Sequence, residues 1–370
     1  MLIGVVSPPD VDTSYAELAE ELGLASFYSA DNSLIWSDTY ATMALLATRT
    51  ERIKLGSMVA VAGSRSPIVT ATALATINRL APGRVSCSVG TGNSTRHLMG
   101  KRPLSLKSYE AWIRELRPLL NGEEIEKQDR DGNPIYVGHV AKEKGFVSFE
   151  PRIPLYLSGY GPKAIAMAGA LGDGLVGIPA LDPEQLEGAW KLCQDGAAAV
   201  GREITPDNFF TSVATTICVL EDGEAIDSPR VKEETGALAL VSLHYAYTQN
   251  RQHGAPPPPF VEDVWEEYVA MIEATPADRR HQRIHNGHNT WMYEAEEKFV
   301  TPELIQAVTM TGTADEIVAR LNALDATGLV DELFIAPGPL NRDEATRAEI
   351  GKRAITALSE RVLPLYAQTV

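Results

Sequence analysis

Four short segments combine polar, aromatic and glycine residues of the kind that line enzyme clefts. In chain order they are Asp31-Asn32-Ser33-Leu34-Ile35-Trp36, Ser57-Met58-Val59, Gly90-Thr91-Gly92-Asn93-Ser94 and Ser158-Gly159-Tyr160-Gly161. The second lies in the third predicted strand, and the others directly follow the second, fourth and fifth. Active sites of α/β barrels form at the C-terminal ends of the strands. If the strands close into a barrel, these segments therefore lie side by side at one end of it.

The last of these segments has the features of an anion-binding turn. Gly159 and Gly161 let a ligand approach the backbone closely, and Pro162 fits the first turn of a helix, where its missing N–H costs nothing. The free N–H groups of the helix start would face an anion, most simply a phosphate. An ordinary βα turn is the alternative, and the similar character of residues 86–94 favours the binding role.

The sequence lacks the motifs of several other kinds of catalysis. It has no Gly-x-Ser-x-Gly nucleophile elbow and no P-loop. His281, His285 and His288 would share one helix face at metal-ligand spacing, but Gly287 lies among them and no carboxylate accompanies them. We therefore predict no metal site, and a loop that lines the mouth of a substrate pocket is the favoured interpretation.

Short apolar runs alternate with amphipathic stretches, which is the pattern of repeated βα units. The predicted strands are Leu2–Val6, Ser26–Ala30, Ile53–Val61, Arg84–Val89, Ile153–Leu157, Asp173–Ile178, Phe209–Leu220 and Asp331–Ala336. Helices separate nearly all of them, so a parallel sheet with right-handed crossovers is implied. Eight units predict an α/β fold of the TIM (β/α)8 barrel type. An open doubly wound sheet, which usually has fewer units, is the alternative.

Two stretches interrupt the βα pattern within what we predict to be a single domain, residues 1–370. Residues 121–151 are polar and predict a short hairpin or ordered loop. Residues 221–310 form a long helical insertion between the seventh strand and the last βα unit. Its predicted helices, Val231–Tyr247 and Phe260–Glu273, are separated by four consecutive prolines that cannot continue a helix. The last element is a predicted long helix, Asp343–Tyr366.

Composition narrows the possible partners and the location. The 370 residues carry a net charge of −16, which argues against binding to nucleic acid or anionic membranes because both need basic patches. Three widely spaced cysteines predict buried thiols in a reducing compartment. No signal peptide and no apolar run long enough to span a bilayer are present, so we expect a cytoplasmic protein.

Taken in order with other pieces, the four segments resemble the bacterial luciferase-like superfamily of flavin- and deazaflavin-dependent oxidoreductases. The matching pieces are Ala30-Asp31 through Trp36, Arg52-Ile53-Lys54-Leu55-Gly56, Ala75-Thr76 through Gly83-Arg84, Val89-Gly90-Thr91-Gly92, Ser158 to Pro162, Gly172-Asp173-Gly174, and Phe299 to Leu304 leading to Thr311-Gly312-Thr313. Each piece alone is unspecific, but the ordered set covers nearly the whole chain. The resemblance implies a TIM barrel with a late insertion and a flavin-type cofactor on its C-terminal face.

The branch that the chain most resembles uses coenzyme F-420, a deazaflavin. The spacing of Asp31 and Trp36 and the Gly90-Thr91-Gly92 turn are similar to those of deazaflavin-type glucose-6-phosphate dehydrogenases. Those enzymes carry His after the Asp and Glu after the turn, where this chain has Asn32 and Asn93. Asparagine does not titrate, so the sugar-phosphate reaction is disfavoured. Hydride transfer is still compatible with this pattern, because the cofactor carries that chemistry.

We therefore predict a luciferase-like oxidoreductase that transfers a hydride between a reduced deazaflavin of the F-420 type and a small, largely apolar organic substrate. One alternative is an FMN-dependent monooxygenase that uses molecular oxygen and a partner flavin reductase. Deazaflavin lacks the nitrogen that makes reduced flavins react with oxygen, so the two chemistries are separable. The second alternative, motivated by the two Asn replacements, is a non-catalytic flavin-binding barrel.

The resemblance also implies roles for individual residues. The predicted catalytic-site residues are Asn32, Trp36 and Asn93; the cofactor-binding residues are Asp31, Ser57, Met58, Thr91, Gly92, Ser158, Gly159, Tyr160 and Gly161; the substrate pocket is Trp36, His285 and Trp291. Asp31 has a helix N-cap as its alternative role, and Trp36 has simple packing. Relatives often have a non-prolyl cis peptide in a bulge of the third strand, which we place at Ser57–Met58. A homodimer through the helices Tyr40–Ala47 and Val69–Leu80 is expected.

Overall fold

The computed structural model describes residues 1–285, 287–336 and 344–366. The strands are β1 (Leu2–Val6), β2 (Ser26–Ser29), β3 (Lys54–Ser57), β4 (Ala60–Val61), β5 (Val85–Gly90), β6 (Ile125–Gln128), β7 (Pro134–Val137), β8 (Leu155–Leu157), β9 (Gly174–Ile178), β10 (Phe210–Thr215), β11 (Ile217–Val219), β12 (Met310–Gly312) and β13 (Glu332–Ile335). The helices are α1 (Thr13–Glu21), α2 (Thr39–Arg49), α3 (Pro67–Leu80), α4 (Asn93–Leu98), α5 (Leu106–Leu120), α6 (Pro162–Leu171), α7 (Pro183–Ala198), α8 (Pro229–His253), α9 (Glu262–Glu273), α10 (Arg280–His285), α11 (Pro302–Val308), α12 (Ala314–Asp325), α13 (Glu344–Ala357) and α14 (Leu363–Tyr366).

The barrel is closed and parallel. Its strands are hydrogen-bonded in the order β3-β2-β1-β13-β10-β9-β8-β5-β4, and an additional β3–β5 pairing closes the ring. Because β3 and β4 are two parts of one wall position, the ring has eight positions. The predicted TIM barrel is therefore confirmed. Closure brings the loops after β2, β4, β5 and β8 to one end, which we call the mouth.

The third wall position is broken where the sequence predicted one strand, Ile53–Val61. Ser57 still pairs with Ser29 of β2 in the regular ladder, and the chain then bulges before β4 pairs with β5. The non-prolyl cis peptide lies at Met58–Val59, so its predicted position at Ser57–Met58 is wrong by one residue. The sequence match located the loop but not the register, which the pairing of Ser57 with β2 decides.

The predicted seventh strand, Phe209–Leu220, is also two strands. β10 lies in the barrel between β9 and β13, whereas β11 leaves it and pairs with β12 at the end of the insertion. The change of partner occurs at Thr216, whose hydroxyl donates to the carbonyl of Ala336 at 2.9 Å. The run is β-branched on both sides of this residue, so its pattern does not indicate where the chain leaves the barrel.

The two predicted interruptions are present. β6 and β7 form the expected antiparallel hairpin within residues 121–151. The insertion contains α8 and α9, separated by the proline run and a 3-10 turn, followed by α10 and α11. It has its own apolar core, in which α8, α9 and α11 pack around buried side chains such as Tyr268 and Phe299. The insertion therefore has an apolar core separate from that of the barrel.

The predicted C-terminal helix changes its hydrogen-bond register near its end. After α13, residues Leu358–Val362 form a π-helical turn before α14 begins. Pro364 has no N–H to donate to the carbonyl four residues earlier, so the regular ladder cannot continue through this point. The predicted first residue, Asp343, lies outside the described residues.

Two further expectations concern the cysteines and the membrane. Cys87, Cys193 and Cys218 are buried and unpaired, as predicted. Burial raises the pKa of each thiol, so none is a ready nucleophile. None of the helices in the described part of the chain has both the length and the apolar character needed to cross a bilayer.

Side chains fill the barrel interior in layers. Near the N-terminal ends of the strands, Glu332 is 2% exposed and accepts hydrogen bonds from Ser26 and from Tyr28, the latter at 2.6 Å. Nearer the mouth, Val6, Tyr28 and Phe334 form an apolar layer against which Met58 packs. This layer is the floor of the mouth.

The buried carboxyl of Glu332 leads to a prediction on pH. Burial raises the pKa of Glu332 above its ordinary value of 4.5, despite the hydrogen bonds from Ser26 and Tyr28 and the nearby charge of Lys54. A raised pKa favours folding below pH 4.5, and this advantage is lost as the pH rises through the folded-state pKa. Glu332→Gln should therefore gain stability relative to the wild type between pH 4.5 and pH 8, measured by urea unfolding. Glu187→Gln, on the exposed face of α7, is the control, and equal pH slopes for all three proteins would contradict the prediction.

Candidate active site

Asp31 anchors the loop that follows β4. Its carboxylate accepts the backbone N–H of Val61 at 2.9 Å and the guanidinium of Arg65 at 3.1 and 3.2 Å, and its side chain is only 3% exposed. The N-cap of α2 is Asp38, so the alternative role of Asp31 as that cap is not what the structure shows. Arg65 is shared with Asp38 and lies 4.8 Å over the ring of Tyr40. Asp31 thus positions the bulged third wall beside the mouth.

Asn32 joins two of the mouth loops. Its side-chain oxygen accepts the N–H of Leu34 at 3.2 Å, and its amide donates to the hydroxyl of Ser94 at 3.3 Å. The carbonyl of Asn32 accepts the backbone N–H of Trp36 at 2.8 Å, which fixes the backbone of the loop at Trp36. The indole N–H of Trp36 is buried and has no partner among the described residues. A buried donor without a partner is costly.

The side chains of Ser57 and Met58 have different environments although the residues are adjacent in sequence. The Ser57 hydroxyl donates to the carbonyl of Ser88 at 2.8 Å and accepts the N–H of the same residue at 3.1 Å, so it is part of the wall. Met58 is half-buried and packs on the apolar floor. Of the two, only Met58 contributes its side chain to the floor.

Glycines at the mouth fall into two groups. A Cβ atom at Gly90 would lie 2.8 Å from Val59, and one at Gly92, where φ is 79°, would lie 2.4 Å from Val61. These glycines are therefore needed for packing against the bulge. A Cβ atom at Gly161 would meet nothing within 4 Å. Gly161 therefore faces open space, which a ligand can occupy.

The turn from Ser158 to Gly161 presents free backbone donors. The N–H groups of Gly159, Tyr160 and Gly161 donate to no acceptor among the described residues, and α6 begins without a side-chain cap. Several N–H groups near a helix start, with no side chain in front of them, are suited to an anion. Thr91 and Asn93 are half-buried on the neighbouring β5 loop, and Gly92 is the N-cap of α4.

The insertion contacts the mouth at two places. The ring of Tyr160 packs edge-on against that of Tyr245 in α8, with 6.0 Å between centroids. The ring of His97 in α4 stacks on that of His285 in α10 at 5.0 Å, and the Nε2 atom of His97 lies 3.3 Å from the Nε2 atom of Gln252 in α8. His285 and the half-buried Trp291, both predicted pocket residues, therefore belong to a wall that rests on α4.

Sequence reasoning missed two members of this wall, His97 and His244. The pattern search noticed the spacing of His281, His285 and His288 only, since those residues are close in sequence. The small number of histidines was a feature that could have drawn attention to them. The chain has seven, and five of them lie in or against this wall.

Burial keeps three of these histidines neutral. Burial, helped by neighbouring imidazoles for the first two, lowers the pKa of His285 to about 2, of His244 to about 3 and of His288 to about 4. Within the described ranges, no three His, Cys, Asp or Glu side chains are arranged to hold a metal ion. The wall therefore offers neutral hydrogen-bonding groups at neutral pH.

The closed barrel, the bulged third wall position and the late helical insertion together define a luciferase-like barrel. The chain belongs to this oxidoreductase family, since the family model described as luciferase-like monooxygenase matches residues 8–331.

The chain is similar to several named reductases and dehydrogenases. The chain is 27% identical to a 5,10-methylenetetrahydromethanopterin reductase of Archaeoglobus fulgidus over 98% of this chain and 99% of that protein. It is 33% identical to a glucose-6-phosphate dehydrogenase of Nocardia farcinica, described as dependent on F-420, over 51% of this chain and 59% of that protein. The solved structure of a tetrahydromethanopterin reductase from Methanopyrus kandleri, described as dependent on coenzyme F-420, matches with a TM-score of 0.65 and 17% identity over 99% of both chains.

Proposed function

We propose that this protein is a deazaflavin-dependent oxidoreductase that transfers a hydride between coenzyme F-420 and a small organic substrate. The observation that carries the proposal is the open turn at Gly161, where an added Cβ meets nothing within 4 Å and the neighbouring backbone N–H groups have no acceptor among the described residues. The relatives named above, two of them described as F-420-dependent, support the choice of cofactor.

The residues present fit such a cofactor. The free N–H groups of 159–161 would hold its phosphate end, with Thr91 and Gly92 nearby, and the ring would rest on Met58 at the floor. The indole N–H of Trp36 would be satisfied by a carbonyl or ring nitrogen at the same end of the barrel. When bound, the deazaflavin supplies the hydride, while the chain orients the reactants and excludes water.

The substrate is the finer part of the proposal. Asn32 and Asn93 supply no titrating group, which disfavours a sugar phosphate as the substrate. Trp36, Met58 and Trp291 give the predicted pocket large apolar surfaces, which favour a largely apolar substrate.

An FMN-dependent monooxygenase is the second candidate, because the matching family is described by that activity. Titration of the apoprotein with F-420 and with FMN separates the candidates. We expect tight binding of F-420 and, in anaerobic stopped-flow experiments, reoxidation of the reduced cofactor by a member of a panel of ketones, imines, enones and nitroaromatics. Tight FMN binding with oxygen-dependent turnover would overturn the proposal. Binding without reoxidation by any substrate would favour a non-catalytic barrel.

Substitution of Gly161 tests the placement of the cofactor. Gly161 has a φ of −86° and open space around it, so Gly161→Val should fold normally but block the approach to the N–H groups. Loss of a hydrogen bond to a charged group predicts about 10-fold weaker cofactor binding or more. Gly188→Val is the matched control, because Gly188 is exposed on α7 and also has nothing within 4 Å of an added Cβ. Unchanged affinity in a folded Gly161→Val protein would place the phosphate elsewhere.

We further propose a homodimer through the outer faces of α2 and α3. Of the residues that suggested this surface, Met43 and Leu74 are buried against their own barrel. The exposed apolar side chains of the two helices are Leu45, Val69 and Leu80, which are 40%, 53% and 46% exposed. The proposal places all three in one interface, since a contiguous exposed apolar surface is typical of an interaction site.

The dimer has a direct test. Light scattering at micromolar concentration should give twice the chain mass for the wild type. The double variant Leu45→Glu/Val69→Glu should give the monomer mass with unchanged circular dichroism, because two carboxylates per subunit would have to be buried. A monomeric wild type would end the proposal.

A further inference from the structure

We propose that a polar recess in the insertion, formed by His285, His288, Asn289 and Thr290, binds an uncharged hydrogen-bonding group of the substrate, of the carbonyl, amide or hydroxyl class. The inference deepens the proposed function, on which it rests, by stating what the polar end of an otherwise apolar substrate is.

Unpartnered polar atoms define the recess. The Nδ1 atoms of His285 and His288, the side-chain oxygen of Asn289 and the hydroxyl of Thr290 are all buried and have no hydrogen-bonding partner among the described residues. Thr290 is 0% and His285 is 2% exposed. Proteins pair nearly all buried polar groups, and each unpaired group costs about 1–3 kcal/mol. Four such atoms within six residues of sequence therefore indicate a place for a polar ligand.

The backbone of the same segment has an unusual conformation. Asn289 has a φ of 57°, and it is the only residue other than glycine with a positive φ in the described part of the chain. The N–H groups of Thr290 and Trp291 both donate to the carbonyl of Gly287, which closes a tight turn. Within this turn His288 and Asn289 are half-buried and Thr290 is fully buried. Residues in sparsely populated conformations are concentrated at ligand sites.

The recess lies next to the mouth. His285 stacks on His97 of α4, and α4 begins at the loop that Asn32 joins through Ser94. A substrate that extends from the floor at Met58 toward the insertion would therefore meet these atoms.

Charge selects a neutral ligand over an anion. Two nearby cations have carboxylate partners, since Arg283 lies 2.7 Å from Glu296 and Lys298 pairs with Glu267. Arg280 donates from one NH2 group to two backbone carbonyls, and its buried Nε–H has no partner among the described residues. Glu296 is itself buried, and it lies 4.0 Å from the imidazole of His244. An anion in the recess would meet the buried negative charge of Glu296 close by. A neutral group can both donate to and accept from the imidazoles, the amide and the hydroxyl.

Two matched variants test the inference. Thr290→Val removes the recess hydroxyl, and Thr211→Val removes a buried hydroxyl, also without a partner, at the start of β10 at the opposite end of the barrel. Neither change breaks a side-chain hydrogen bond, so both proteins should be at least as stable as the wild type. Only Thr290→Val should raise the KM for the substrate found in the screen, by about 3- to 10-fold with kcat unchanged, as expected for one neutral hydrogen bond.

A binding measurement keeps the test independent of catalysis. Benzamide and benzoate have the same shape and differ in charge, so both are titrated into the full-length protein, without cofactor, labelled with 15N-histidine. We expect benzamide to shift imidazole signals saturably in the wild type and in Thr211→Val, and 3- to 10-fold more weakly in Thr290→Val, while benzoate has no effect at the same concentrations. Stronger binding of benzoate, no shift with benzamide, or equal benzamide affinity in both variants would overturn the inference. Failure to bind F-420 would overturn the proposed function alone.

Discussion

Asp31→Asn is expected to lower the free energy of unfolding by about 3 kcal/mol, because the replacement removes a buried charge-assisted contact. The amide is nearly the same size, but its NH2 group would face the guanidinium of Arg65 or the N–H of Val61, both of which are donors. The loop after β4 would lose its anchor, and cofactor affinity should fall with it.

Asp38→Asn is the matched control for this change. Asp38 binds the other side of the same guanidinium, but its side chain is 52% exposed, and asparagine caps a helix as well as aspartate does. Loss of the ion pair between Asp38 and Arg65 should lower the free energy of unfolding by less than about 1 kcal/mol, as for other exposed ion pairs. Urea unfolding of the two variants and measurement of cofactor affinity provide the comparison. Equal losses of stability would show that Asp31 does not anchor the loop.

Mild acid is expected to destabilise the insertion strongly. His285, His244 and His288 have folded-state pKa values of about 2, 3 and 4, whereas the unfolded chain titrates near 6.5. Below pH 6.5 the unfolded chain therefore binds protons that the folded chain does not, and stability is lost as the pH falls. Between pH 6.5 and pH 4.5, each imidazole that stays neutral in the folded protein lowers the free energy of unfolding by up to about 2–3 kcal/mol.

The groups around these imidazoles give no strong opposing effect. The neighbouring imidazoles and Arg283 disfavour an added charge on these rings, and Glu296, the nearby carboxylate, already pairs with Arg283. The contribution of Glu332 to stability has the opposite pH dependence. Because this contribution is present in all of the proteins compared, it cancels when variants are compared with the wild type. The slope of unfolding free energy against pH reports how many protons the chain takes up on unfolding. His285→Gln should reduce this number by about one, whereas His253→Gln, at an exposed position, should leave it unchanged. Identical slopes in all three proteins would contradict this account.

The barrel was predictable from the sequence because its determinants are local. Each βα unit carries its own apolar period, its own turn residues and its own cap, and eight such units have few ways to pack. The turn at Ser158 to Gly161, the hairpin in 121–151 and the proline-separated helices of the insertion were predictable for the same reason. The positions of Asn32 and Asn93 also followed from short motifs at strand ends.

The contacts that give the mouth its chemistry join residues that are distant in sequence. Asp31 meets Arg65 across a bulge whose register depends on the pairing of Ser57 with β2. His97 meets His285 only because a separate core places α10 on α4. Neither pairing leaves a periodic signal, because periodicity reports which face of an element is buried and not what buries it. The chain order thus specified the barrel and its glycine turn, whereas tertiary packing decided which polar groups are already paired and which remain available to a ligand.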